Sequence, residues 1–162
     1  MMQTLKYLLL FSCAFAINSA IGQQYGNEWI DYSQTYYRFE VYNTGLYRIE
    51  QTDLVNAGIP VGSLSSDNVQ IFGKEREVPL LINDGGDNTL DPGDYILFYA
   101  EGNDGWLDST LYLDPNTIAN PAYSLYNDTI NYFFTWNNSS SNLRYQVETD
   151  VNYAAFSSIA PY

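Results

Sequence analysis

Residues 36–50 read YYRFEVYNTGLYRIE, and the fold turns on how this stretch is paired. Tyr37, Phe39 and Val41 alternate with Arg38, Glu40 and Tyr42, and a second alternating run, Leu46 to Glu50, follows Asn43-Thr44-Gly45. Period-two patterning marks half-buried strands, and an Asn/Gly-bearing turn between two such runs predicts a β-hairpin. After it, QTDLVNAGIP (residues 51–60) supplies Thr52 or Asp53 as a cap for one short helix that Gly58 and Pro60 end.

The same grammar continues downstream. NVQIFG (68–73) and EVPLLIND (77–84) flank Lys74-Glu75-Arg76 as a second hairpin. DYILFYA (94–100) is apolar or aromatic on both faces, the mark of a central strand. TLYL (110–113), TINYFFTW (129–136) and LRYQVETD (143–150) are further strand segments, the last following the polar turn NNSSSN. No fixed-period repeat is present. Short strands at fairly regular spacing with one minor helix predict an all-β domain, an antiparallel sandwich or barrel.

The first residues, MMQTLKYLLLFSCAFAINSAIGQQ, place Lys6 before an apolar run that is too short for a bilayer and ends in small residues, the pattern of a secretory signal peptide over residues 1–22. Cys13 raises a lipoprotein anchor as a rival, but Phe11 is bulky where a lipobox wants a small side chain. The one cysteine falls in this leader, so the exported chain, a single domain over 23–150, forms no disulfide and rests on its core. Residues 151–162, VNYAAFSSIAPY, read as a truncated linker or the start of a further segment. No later stretch is long and apolar enough for a membrane span.

Charge and composition narrow the function. The chain carries 19 acidic against 6 basic residues, a net charge of -13, which disfavours nucleic acid and anionic lipid surfaces as partners. It contains 0 histidines. Ser-His-Asp and Cys-His catalysis, and zinc held by His or Cys, are thereby excluded from the exported chain.

Carboxylates remain, and they crowd DGGDNTLDPGD (84–94). Against the EF-hand pattern, a start at Asp84 puts Thr89 at the glycine position and Tyr95 at the bidentate Glu, and a start at Asp87 puts Pro92 and Phe98 there. Both registers fail. An irregular loop can still hold calcium, and Asp84, Asp87, Asp91 and Asp94 are the candidate ligands. Paired-carboxylate glycoside hydrolysis needs one acid with a raised pKa in a rigid cleft, which a solvated glycine-rich loop does not supply. The alternative is structural: Asp91-Pro92-Gly93-Asp94 carries the type II turn signature, with Pro fixing φ and Gly free to take φ > 0.

An ordered series of motifs resembles the N-terminal region of gingipain-like cysteine peptidases of Bacteroidetes, especially PorU-type sortases of the type IX secretion system. It runs from an early WI (29–30) through YYRFEVYNTGLYRIEQTDLVNAGIP, VQIFG, VPLLI and LDPGDYILFYAEG to YSLYNDTINYFFTW, spanning Trp29 to Trp136. LDPGDYILFYAEG with the following aromatic YFFTW is its most specific part and GLYRI the next. In that family a β-rich region precedes a caspase-like α/β domain whose His and Cys do the chemistry of cutting cargo signals and joining cargo to anionic lipopolysaccharide. No catalytic residue carries over, because this chain has no His and its Cys13 is in the leader. The resemblance implies a non-catalytic accessory domain, exported to the periplasm or the outer-membrane surface. Its partners would be its own downstream peptidase domain, which it would cover like a prodomain, or proteins of the secretion machinery.

A second reading is a secreted carbohydrate-binding or adhesion module, with Trp29, Trp106, Trp136 and the tyrosines stacking on sugar rings and calcium in the loop. Asp128-Thr129-Ile130 also fits a Bacteroidetes O-glycosylation pattern. Sequons at Asn127, Asn137 and Asn138 carry little weight in a bacterial protein.

Overall fold

A computed structural model describes residues 26–118, 120, 123–139, 141–146 and 148. The predicted leader (1–22) and residues 151–162 lie outside them. Residues 1–30 form one unit and residues 31–162 another. In the first, residues 26–30 make a turn in which Ile30 N–H donates to the Asn27 carbonyl at 3.0 Å. All that follows concerns the second.

Among the described residues this unit is an all-β domain of two antiparallel sheets with one short helix. Seven strands are described: β1 (Tyr37–Val41), β2 (Gly45–Glu50), β3 (Val69–Gly73), β4 (Arg76–Val78), β5 (Leu80–Asn83), β6 (Tyr95–Ala100) and β7 (Ile130–Trp136). One sheet has the order β1-β7-β3-β4 and the other β2-β6-β5. Inward residues of both sheets merge into one core that includes Val41, Val69, Ile71, Leu80, Ile96, Phe98 and Phe134. Phe98 is its hub, with ring centroids 5.8 Å from Phe39, 5.8 Å from Tyr47 and 6.3 Å from Tyr132.

The opening stretch is therefore not a hairpin. Tyr37–Val41 pairs with β7, Tyr37 opposite Phe134, whereas Gly45–Glu50 pairs with β6, Gly45 opposite Ala100. The three residues between them carry the chain from one sheet to the other. Both runs have an apolar face that must be buried, and crossing the core lets each face meet the other sheet.

The second hairpin holds for half its length. β3 and β4 pair around Lys74-Glu75, but Pro79, which has no N–H for a ladder, ends β4, and β5 crosses to the other sheet beside β6. DYILFYA becomes β6, the central strand of its sheet, as its two apolar faces predicted. Of the other predicted strands, 129–136 is β7. Residues 108–111 form a 3-10 turn where TLYL was read as a strand. LRYQVETD contributes only a bridge, Arg144 beside Leu80; residues 147, 149 and 150 lie outside the described set.

The helix, α1 (Gln51–Asn56), is capped two residues before Thr52 and three before Asp53, the predicted caps. Glu50 is the N-cap, and Asp53 works from the third position of a capping box, its carboxylate accepting from Glu50 N–H at 3.0 Å. Gly58 takes φ 77 just past the C-cap Ala57.

Candidate functional site

The aspartate loop is built from local turns. Asp94 N–H donates to the Asp91 carbonyl at 3.0 Å and Gly93 takes φ 106, as the predicted turn requires. Asp94 Oδ2 accepts from Asp91 N–H at 2.7 Å, so the turn is closed from both sides. Asp87 Oδ1 accepts from both Thr89 Oγ1 (2.7 Å) and Thr89 N–H (2.9 Å). These bonds, the side-chain one foremost, hold its carboxyl below the usual aspartate range. Asp84 accepts from Gly86 N–H and from the buried Ser66 hydroxyl, which ties the loop to the 3-10 turn at Ser66–Asn68.

The four candidate calcium ligands are thus engaged by local donors, Thr89 Oγ1 serving Asp91 Oδ2 (3.2 Å) as well as Asp87. Among the described residues no three His, Cys, Asp or Glu side chains gather as a metal-holding group. What the loop does in this conformation is position β6: the Asp94 carbonyl accepts from Gln51 N–H at 2.9 Å, and Leu90 is buried behind it.

The strongest charge cluster lies elsewhere, at the β3–β4 turn. Lys74 Nζ sits 2.8 Å from both Glu101 Oε2 and Asp104 Oδ2, and Arg76 is 3.2 Å from Glu101. Burial alone would push the Lys74 ammonium down, but its bonds to Asp104 and Glu101 outweigh this and hold it above the usual lysine range. The Lys74 hydrogen bond holds Glu101 below its usual range; Asp104 is likewise lowered, its partial burial overcome by Lys74. All three groups are fixed in their charged forms at neutral pH, so the cluster fastens the turn to the 101–104 segment and stores no mobile proton. Sequence reading missed it because its paired members lie 25 to 30 positions apart and carry no shared motif.

Beneath the cluster, Tyr132 donates its hydroxyl to the Glu101 carbonyl (3.2 Å) and accepts from Glu101 N–H (2.8 Å). Its ring lies across Gly73, where an added Cβ would stand 2.1 Å from a ring carbon. Beside it is a cleft of ≈ 330 Å³ lined in part by Arg76, Pro79, Tyr99, Glu101, Leu143 and Tyr145.

Of the aromatics read as a sugar platform, Trp136 packs into the core, 6.0 Å from Tyr37 and 6.4 Å from Phe134. Trp106 is half-buried in a turn whose N–H bonds Asp104, and Trp29 lies in the separate N-terminal unit. Within the second unit, Trp136 is thus a strand residue against the core and Trp106 a turn residue.

Two stretches of the motif series come together, while YFFTW lies in β7 of the other sheet. GLYRI and Glu50 form β2, DYILFYA supplies β6, and the two pair in register over six positions, from Gly45 opposite Ala100 to Glu50 opposite Tyr95. No family model, no curated protein and no solved structure matches this chain.

Proposed function

We propose that this chain is the non-catalytic N-terminal domain of an exported gingipain-like peptidase or sortase of the type IX secretion system, acting as a prodomain-like cover or a docking module. The observation that carries the reading is the pairing of GLYRI with DYILFYA, two stretches of the motif series, while YFFTW forms β7 of the other sheet. Segments separated by the helix, the β3–β4 hairpin and the aspartate loop are adjacent strands, Tyr47 opposite Phe98 and Ile49 opposite Ile96.

Three further features agree with it. The exported sequence has no His or Cys for cysteine-peptidase chemistry, the leader-like start fits export, and the acidic balance suits a neighbour with basic surface. Among the described residues no helix is long and apolar enough to cross a membrane.

Two measurements test the proposal. The DNA downstream is expected to encode a His- and Cys-bearing α/β domain; a clean stop followed by an unrelated gene points to a free-standing module. Where that domain is present, the parent protein is compared with and without residues 23–150. Unchanged folding and activity sinks both the cover and the docking role. Calcium at Asp84, Asp87, Asp91 and Asp94 is a separate proposal that requires the loop to exchange its local donors for the ion. Titration with millimolar calcium in a calorimeter tests it, and an absence of heat removes it.

A further inference from the structure

The two sides of the sandwich are finished differently. In the three-stranded sheet, Leu80 of the edge strand β5 points its backbone groups away from β6, and both are taken. Its N–H donates to the Leu143 carbonyl at 3.2 Å and its carbonyl accepts from Tyr145 N–H at 2.9 Å. On the same side of the other sheet, β4 is three residues long and ends at Pro79. Short edges, covered edges and proline are ways of preventing another strand from pairing.

β2, the other edge of the three-stranded sheet, has none of these. Gln51 N–H bonds the Asp94 carbonyl, which fixes the alternation of the antiparallel ladder. Ile49, Tyr47 and Gly45 exchange hydrogen bonds with β6, and the N–H and C=O of Leu46 and Arg48 face outward. Among the described residues no hydrogen bond reaches those four groups. The next outward N–H, that of Glu50, is taken by Asp53, so the open stretch ends at the helix cap.

The side chains point the same way. Lone charges commonly guard an edge, but Arg48 is held by Glu50 at 2.6 Å and lies 3.8 Å over the Tyr95 ring. Leu46 is 68% exposed, and beside it on the outer sheet face stand Tyr99 at 47% and Leu81 at 42%. On the core side Tyr47 and Ile49 are only half-buried, although the residues opposite them, Phe98 and Ile96, are fully so. An added strand would cover both. By contrast β1, the edge strand of the other sheet, presents Arg38 and Glu40 outward.

We propose that the free edge of β2 is a docking site for an extended segment of another protein, which adds as a fourth strand to the β2-β6-β5 sheet. Its chemistry follows from what it meets. Four backbone groups at Leu46 and Arg48 require a strand, and Tyr47 and Ile49 on one face with Leu46 on the other require apolar residues at alternate positions. The net charge of -13 selects against an acidic segment and favours a neutral or basic one.

The test uses the full exported chain, isotope-labelled, and a short synthetic peptide alternating valine with threonine and lysine. Amide exchange at Leu46 and Arg48 is expected to be fast in the chain alone and to slow at least about tenfold with peptide, while Tyr47 and Ile49 are protected throughout. Two further peptides are N-methylated at alternate residues in opposite phase. Methylation in the phase facing β2 is expected to abolish the slowing, and the opposite phase to leave it intact. Equal effects of the two phases overturn the proposal, as does an unchanged exchange rate. Protection already present without peptide also overturns it. If that protection grows with protein concentration, a second copy is the occupant; if it does not, the chain covers its own edge.

Discussion

Two connections in this domain follow the same sequence pattern and do opposite things. Asn43-Thr44-Gly45 and Lys74-Glu75 each separate two alternating runs. The second closes a true hairpin, with Gly73 opposite Arg76, and Lys74 and Glu75 both take positive φ, 49 and 62. These are the angles of the type I′ turn that matches strand twist, adopted without Asn or Gly. The first has the better hairpin composition and makes none. Residues 42–44 span the two sheets, fixed by Gly102 N–H donating to Thr44 Oγ1 at 2.9 Å and by Tyr47 donating its hydroxyl to the Asn43 carbonyl at 2.9 Å. The difference teaches that a turn's composition proposes a hairpin and that partners for the flanking strands decide it. β7 and β6 offer β1 and β2 longer and more apolar neighbours than they offer each other.

The sharpest way to break this contrast is at the residue both arms of the arch share. Phe98 touches Phe39 of β1 and Tyr47 of β2, so Phe98→Ala is expected to cost about 3–5 kcal/mol in denaturant unfolding. A double-mutant cycle is expected to couple Phe98 separately to each ring, whereas coupling of Phe39 directly to Tyr47 alone would restore the hairpin.

Gly73→Ala attacks the true hairpin instead. Its Cβ would overlap the Tyr132 ring, and the expected loss is about 2–3 kcal/mol, recovered in part by Tyr132→Leu. A loss below the error of the unfolding measurement would show that the ring moves aside freely.

At the arch, Gly102→Ala puts a Cβ 3.2 Å from the Thr44 nitrogen and the Tyr42 carbonyl oxygen. Backbone on both sides limits the relief, and about 1–2 kcal/mol is expected to be lost. The same substitution at Gly62, where nothing lies within 4 Å, serves as the control.

Glu75→Gly works in the other direction. Removing a side chain at φ 62 relieves left-handed strain and is expected to add about 0.5–1 kcal/mol of stability, read as a higher thermal midpoint. Lowered stability would mean that Glu75 makes a compensating contact.

The smallest effect is electrostatic. Glu101 and Asp104 have lowered pKa values in the folded state, so their stabilisation is present above their unfolded values of 4.5 and 3.8 and is lost as pH falls through the folded ones. Lys74, raised from 10.5, contributes fully below that value and loses its share as pH rises through its higher folded value. Lys74→Met is expected to cost about 0.5 kcal/mol at pH 7, the partners being more than a third exposed, and to flatten the acid limb between pH 7 and 3. An acid limb of unchanged slope would remove the cluster from the account.

Periodicity made the strand segments legible. Tyr37–Val41, Val69–Gly73, Tyr95–Ala100 and Ile130–Trp136 stand where alternation or aromatic density put them, and β6 is central because both its faces are apolar. The type II turn at Asp91–Asp94 was legible as well, since proline and glycine fix their own dihedral angles. TLYL failed because four residues cannot outweigh the Asp108-initiated 3-10 turn around them. LRYQVETD is reduced to a bridge in which Arg144 donates to the carbonyls of Ser66, Asp67 and Val69, contacts 75 to 78 positions away.

The sequence by itself determined which segments alternate as strands, that the domain is all-β, that the chain holds no histidine, and that the 84–94 loop turns where it does. Those properties follow from side-chain polarity, composition and local dihedral preference, which act over a few residues. The tertiary structure alone decided which strands are neighbours, that residues 42–44 cross the core, that Lys74 meets Glu101 and Asp104, and that no other described residue hydrogen-bonds the outward groups of Leu46 and Arg48. Strand pairing is a competition between distant partners for the same backbone groups and the same buried face, and no stretch of sequence contains its own competitors.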